Sequence, residues 1–312
     1  MAWTPPTHDP AVELRDHLLV EAWREPIAAI ADRHGLAVTE LAPFDTGSDI
    51  VWSAGGSVVK LTAPLWADEI EAEASALERV AGRLSVATPE VAAVGELAGW
   101  PYVVMSHVPG VPIGELWRDL DAAERRRLAG DLGRLTRELN ELGSEEEAGD
   151  WPEFWARCTS EVGARHAKRG GPPELAEQID AFLEGLGPLV PRGFGFLHTE
   201  LLDQHVLARE VGGAIRLCGL IDFADSRVGP VDYEFPAPVD FIFKGEPGAL
   251  RAYFLEYGED PAELDGAREL ELCAWSLCHR FGSLPRMVAA LGGEAPRSIE
   301  ELARRLFSLS GS

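Results

Sequence analysis

Gly195-Phe196-Leu197-His198-Thr199-Glu200 and Gly219-Leu220-Ile221-Asp222-Phe223 are two apolar segments that each run into an acid, and the chain between them decides the fold. That chain holds the apolar run Val206-Leu207-Ala208, a Gly212-Gly213 turn and a second apolar run from Ile215 to Ile221. Two such runs about a glycine pair read as a β-hairpin, because glycine accepts the positive φ that a tight turn between twisted strands requires. Folding the runs together sets His205, just before the first, roughly opposite Asp222, just after the second. His198, Glu200, His205 and Asp222 are thus expected at the open end of the hairpin.

A second hairpin is read upstream, where Ile50-Val51-Trp52-Ser53 and Ser57-Val58-Val59-Lys60-Leu61-Thr62 flank the turn Ala54-Gly55-Gly56. Before it, the small residues Thr46, Gly47 and Ser48 would let backbone N–H groups approach phosphates, although many such stretches are only turns. Lys60 is one of three lysines in the chain and interrupts an apolar strand. A half-buried ammonium is costly unless paired or offered to an anion; the other reading is an edge-strand lysine that deters aggregation. From Glu69 to Ala81 a helix is expected, with Ile70, Leu77 and Val80 as its apolar stripe and Glu73 on that stripe. A carboxylate on a buried face needs a cation, which makes Glu73 the partner of Lys60.

The spacing His198-x-Glu200, with His205 five positions on and Ile221-Asp222-Phe223 after a strand, resembles the catalytic and metal-binding segments of the aminoglycoside phosphotransferases, which use the kinase-like fold. Gly56-Ser57-Val58-Val59-Lys60-Leu61 with Trp66 beyond it, and Trp100-Pro101-Tyr102-Val103-Val104-Met105-Ser106, extend the resemblance over roughly residues 35 to 257. Within that family the hygromycin-B 7″-O-kinase branch looks most similar. The resemblance implies an α+β, protein-kinase-like, two-lobed fold. Residues 1–105 would form an antiparallel-sheet lobe with leading helices, 106–110 a hinge, and 111–312 a helical lobe with the catalytic hairpin and substrate site.

The same resemblance implies ATP or another nucleoside triphosphate as cofactor, with Mg2+ or alternatively Mn2+. Glu200 would accept the proton of the acceptor hydroxyl with His198 beside it, and Asp222 and His205 would hold the metal. Thr46, Gly47, Ser48, Lys60 and Glu73 would serve the phosphates. Met105 would wall the adenine pocket, and backbone groups from Ser106 to Val108 would meet the base edge. Asp225, Asp232 and Glu234 are implied as substrate or structural acids, Glu234 as a helix anchor. The acceptor would be an aminoglycoside-like or other small cationic alcohol, with metabolite and peptide hydroxyls as alternatives.

Two positions depart from the family pattern: Glu200 stands where it has Asp, and His205 where it has Asn. The extra methylene moves the base by about a bond length, and misplacement by about 1 Å can cost on the order of 10²-fold in rate. Imidazole suits zinc or manganese better than magnesium. A working kinase with an adjusted site, a ligand-binding pseudokinase and a transition-metal site all remain open on these residues.

The whole chain sets the outer bounds. Its 312 residues are 46% hydrophobic, enough for a substantial core, and its formal net charge of -24 argues against nucleic-acid and anionic-membrane partners. A cationic ligand would be attracted, though an acidic surface can serve solubility alone. Cys158, Cys218, Cys273 and Cys278 lack paired metal-ligand spacing and read as core thiols of a reducing compartment. No apolar run is long enough to span a bilayer, and the start lacks a signal-peptide pattern, so a cytoplasmic monomer or homodimer is expected. Helices are expected within 10–34, along Leu128, Leu132, Leu135, Leu139 and Leu142, and from Glu174 to Leu186, with Asp240 and Glu246 in a loop able to face a substrate.

Overall fold

The computed structural model describes residues 20–44, 49–246 and 248–309. Contacts gather the chain into two units, one of Met1–Gly82, Ala87–Pro109 and Leu220–Asp225, the other of Arg83–Val86, Gly110–Gly219 and Ser226–Ser312. The kinase-like, mixed α+β architecture expected from the sequence is present: an antiparallel sheet in the first unit and mainly helices in the second.

In the first unit, strands β1 (Leu41–Pro43), β2 (Ile50–Ala54), β3 (Ser57–Leu61), β4 (Val91–Leu97) and β5 (Trp100–Ser106) form one sheet in the order β1-β2-β3-β5-β4. Strand alternation sorts their side chains. Ile50, Trp52, Ala54, Val59, Leu61, Trp100, Tyr102 and Val104 share one buried cluster with Trp23, Ile27, Ile30 and Ala31 of the segment leading into and through helix α1 (Arg24–Arg33). The opposite face carries Val58 and Lys60, and meets helix α2 (Ala67–Val80) through Glu73, on the same buried stripe as Ile70, Leu77 and Val80. Because β3 lies between β2 and β5, Lys60 is on a central strand and the edge-strand reading fails. The helix expected within 10–34 is described only from residue 20 onward, as a 3₁₀ turn, Val20–Trp23, running into α1.

The Leu220–Asp225 segment, expected with the helical lobe, packs into the first unit, where the Leu220 N–H donates to Ala87 O (3.0 Å). That backbone bond is the physical reason for the difference.

In the second unit, β6 (Val111–Pro112), β8 (Val206–Val211) and β9 (Ala214–Leu220) form one small sheet, and β7 (Phe194–Leu197) pairs antiparallel with β10 (Arg227–Pro230). The expected hairpin about Gly212-Gly213 is β8–β9. Helix α3 (Ala122–Asn140) is the scaffold: Leu128, Leu132, Leu135 and Leu139 are buried, and the Asp121 carboxylate accepts the N–H groups of Ala123 and Glu124 while Glu124 reaches back in a capping box. Leu142 lies beyond its end. The C-terminal end of α3 pins β7, since Asn140 Nδ2 donates to Phe196 O (3.0 Å) and a Cβ at Gly195 would sit 2.5 Å from Asn140 O. Only glycine permits that approach. The helix expected from Glu174 to Leu186 is two pieces, Pro173–Ala176 and Ile179–Leu186. Cys158, Cys273 and Cys278 are buried, Cys218 is half-buried, and none of the four forms a disulfide.

Candidate functional site

In the first unit the site is built around Lys60. Its ammonium, 5% exposed, lies 2.9 Å from Glu73 Oε2, 3.0 Å from Asp222 Oδ1 and 3.2 Å from Asp49 Oδ2. Burial alone would lower the Lys60 pKa, but Asp222, Glu73 and Asp49 outweigh it and hold the group well above its ordinary value. Three carboxylates to one ammonium leave an excess of negative charge. Its effect reaches Glu69, which burial, then Asp49 and Asp225, push up to about 7. Asp222 itself sits at φ 68°, in the left-handed region that few non-glycine residues adopt, with a side chain 35% exposed. Strained backbone at an acid facing a buried lysine is a recurring mark of a functional turn.

In the second unit the site is the loop between β7 and β8. The Glu234 carboxylate accepts the N–H groups of His198 (2.6 Å) and Thr199 (2.9 Å). Burial pushes Glu234 up to about 8 against those two bonds, which favour the carboxylate. Its grip holds Thr199 at φ 67°, a costly conformation for a β-branched residue. His198 is fully buried, and its Nδ1 accepts the Glu200 N–H (3.3 Å). From the other side the His205 Nδ1 meets Glu200 O at 3.0 Å. A carbonyl can only accept, so Nδ1 carries the proton and the Nε2 lone pair meets the Gln204 amide at 3.1 Å. The half-buried Glu200 is therefore fixed through both its N–H and its C=O, the kind of preorganisation that proton transfer rewards.

Glu200 lines a cavity of about 280 Å³ in this unit, together with Thr199, Asp240, Phe241, His279, Arg169 and Arg286. Asp240, read from the sequence as able to face a substrate, is on its wall. Glu246 instead pairs with Arg125 at 2.9 Å.

The other expected residues divide. Thr46, Gly47 and Ser48 lie outside the described residues. Met105 is buried on β5 beside Val58, on the Lys60 face of the sheet. The Ser106 N–H donates to Glu90 O (2.9 Å) and the His107 N–H to Gly56 O (3.0 Å), so both are already paired, and Val108 is buried. Asp225 joins the acidic surroundings of Glu69. Asp232 is corrected from a substrate acid to a structural one: it is 1% exposed, its Oδ1 takes Arg268 Nη1 (2.8 Å) and its Oδ2 the Arg192 N–H (2.8 Å). Glu234 is likewise turned inward, as the clasp of the loop between β7 and β8.

Sequence reasoning passed over Asp49, Arg169, Arg286 and His279. Asp49 was within reach: Val51 pairs with Lys60, and alternation puts Asp49 on the face of Val51. The cavity arginines carry no local signal, since they reach Glu200 only through tertiary packing.

A family model described as the phosphotransferase enzyme family matches residues 49–270. A comparison with curated proteins returned no match. Among solved structures, the GDP complex of aminoglycoside 2'-phosphotransferase-IIIa aligns at TM-score 0.62 and 18% identity, covering 76% of this chain and 83% of that one. The streptomycin–ATP ternary complex of APH(2")-IIa aligns at TM-score 0.57 and 16% identity, over 91% of this chain and 97% of that one. Aminoglycoside-3'-phosphotransferase of type VIII aligns at TM-score 0.56 and 22% identity, over 82% and 98%. At these identities the structural likenesses show the fold.

Proposed function

As the chain belongs to the phosphotransferase enzyme family, whose chemistry takes an alcohol group as acceptor, we propose that it transfers the γ-phosphoryl group of ATP to a hydroxyl of a small molecule. The observation that carries this reading is the central-strand Lys60 held by Glu73 and by an Asp222 in left-handed backbone. The nucleotide complexes among the structural neighbours support a nucleoside triphosphate as donor.

Lys60, kept charged by its carboxylates, binds and orients the triphosphate. The acid excess around it fits a divalent cation, which Asp222 would hold through a carboxylate oxygen and His205 through its imidazole once the Gln204 amide gives up Nε2. Magnesium or manganese bound there would supply charge neutralisation on the phosphate oxygens. Glu200 accepts the proton of the acceptor hydroxyl. The bonds to its N–H and C=O set where its longer side chain reaches. His198 positions Glu200 rather than touching the acceptor. An aminoglycoside acceptor has precedent in the neighbours, among them a kanamycin complex and a gentamicin complex; the lining of the cavity beside Glu200 favours a different acceptor class, argued below.

The test is calorimetric titration of ATP with and without Mg2+, paired with turnover of Glu200→Gln. Metal-dependent nucleotide binding is expected in both proteins, with turnover in the variant lowered by about 10²–10⁴-fold. Unchanged turnover would take the base role from Glu200, and the absence of nucleotide binding under either condition would end the kinase reading.

A further inference from the structure

Asp240 lies on a π-helical turn, Val239–Phe243, an element often found at functional sites. It is 3% exposed, and its Oδ1 is buried without a hydrogen-bond partner. Arg286, on the same cavity wall, has its Nε buried and equally unpartnered. Its Nη2 donates to Phe281 O (2.5 Å) and its guanidinium lies 4.1 Å from the centre of the Phe241 ring, so the side chain is held in place with Nε unused. His279 is 4% exposed; its Nδ1 accepts the Phe281 N–H (3.2 Å), which puts the proton on Nε2. Burial keeps that ring neutral, its pKa pushed down to about 3.

Buried polar atoms without partners are rare, and an acceptor and a donor left open on one cavity mark where a ligand completes the bonding. The chemistry of the ligand follows from which groups can meet both. An ammonium can satisfy Asp240 but is opposed by the guanidiniums of Arg286 and Arg169. A carboxylate or phosphate can satisfy the arginines but is opposed by Glu200 and Asp240. A hydroxyl does both, donating to Asp240 Oδ1 and accepting from Arg286 Nε–H. Phe241 and Phe281 add apolar surface suited to the C–H face of a ring. The volume, about 280 Å³, lies just below the roughly 300–1,000 Å³ typical of ligand pockets, which suits one ring rather than several.

We propose that this cavity binds the acceptor as an uncharged, hydroxyl-rich ring of monosaccharide size, held by Asp240 and Arg286 with His279 beside them. The phosphoryl step rests on the function proposed above; the binding does not. In that step the acceptor oxygen bonds to the γ-phosphorus as the bond from phosphorus to the β,γ-bridging oxygen breaks. ADP leaves with that electron pair, and the hydroxyl proton passes to Glu200.

The experiment titrates the full chain, without nucleotide, with three classes of probe: myo-inositol, D-glucose and D-ribose as uncharged polyols, kanamycin as a polycation and D-gluconate as an anion. At least one uncharged probe should bind more tightly than kanamycin and gluconate, and Asp240→Leu and Arg286→Met should each weaken it at least tenfold. ATP titrations should be unchanged in both variants, and melting curves report whether each is folded. If one variant fails to fold, the other carries the comparison.

Tighter binding of kanamycin or gluconate would overturn the assignment, as would uncharged binding indifferent to both substitutions or no binding of any probe. Polyol binding without ATP binding would sink the kinase reading alone. ATP binding without polyol binding would sink this assignment alone.

Discussion

Lys60 and Arg268 are two buried cations, each facing three carboxylates, and they are built to different ends. Arg268, 1% exposed, pairs with Asp232 (2.8 Å), Glu259 (2.5 Å) and Glu271 (3.3 Å). Asp232 and Glu259 are themselves buried, and Arg192 shares the load by binding Glu271 and Glu263. The faces of Phe235 and Phe254 lie within 5.6 Å of the Arg268 guanidinium. Its inner acids are closed off, with Asp232 and Glu259 keeping 1% and 8% of their side-chain surface exposed. Around Lys60, Asp49 and Asp222 keep 16% and 35% of their side-chain surface exposed. A second arginine and two aromatic faces around Arg268, rather than burial of the cation itself, mark the cluster that holds the fold.

The comparison breaks first on stability. Arg268→Met leaves Asp232 and Glu259 buried without their cation and should cost about 3–5 kcal/mol in urea denaturation, with nucleotide affinity of the folded fraction unchanged. Lys60→Met should cost less, because Asp49 and Asp222 can rehydrate, yet it should lower turnover by about 10²-fold or more. If Lys60→Met destabilised as strongly as Arg268→Met and left turnover intact, the two clusters would be the same kind of object.

A smaller effect sharpens the point. Mg2+ at a hundredfold excess over its Kd should stabilise the wild type by about 2.7 kcal/mol. The gain should vanish in Asp222→Asn and persist in a folded Arg268 variant. Persistence in Asp222→Asn would move the cation site elsewhere.

The legible part of this chain was local. Period-two alternation gave both hairpins, the helical stripe placed Glu73 beneath Lys60, and the acid-bearing turns after β7 and β9 were readable because their spacing is short. Distinguishing the clusters was harder, since nothing near Asp232 in sequence announces Arg268, which reaches it from a separate helix, Gly266–Cys278. An acid one turn beyond the metal-type Asp therefore read as substrate-facing when packing had already claimed it. Glu234 was read as an anchor, but not for this loop, because its partners are the backbone N–H groups of His198 and Thr199, which leave no trace in residue identity. The cavity beside Glu200 draws on Arg169, Asp240, His279 and Arg286, far apart in sequence, and only the fold brings them to one wall.

Asp240 is a third arrangement, an acid sharing a cavity with an arginine and leaving Oδ1 unbonded, and its effect is spread over several pH units. Burial pushes its carboxyl from 3.8 up to about 7, against the pull of Arg286. The folded protein therefore binds more protons than the unfolded chain between those values, so this group's contribution to stability falls as pH rises from about 4 to about 7 and is flat above. The slope is at most about 1.4 kcal/mol per pH unit for one proton. Glu69 and Glu234 act with the same sign, so the total slope does not identify Asp240, but the difference between wild type and Asp240→Asn does. Denaturant midpoints across pH 4 to 8 should flatten by one proton's share in the variant. An unchanged profile would mean that Asp240 keeps its ordinary carboxylate range in the folded protein, with the pull of Arg286 offsetting burial.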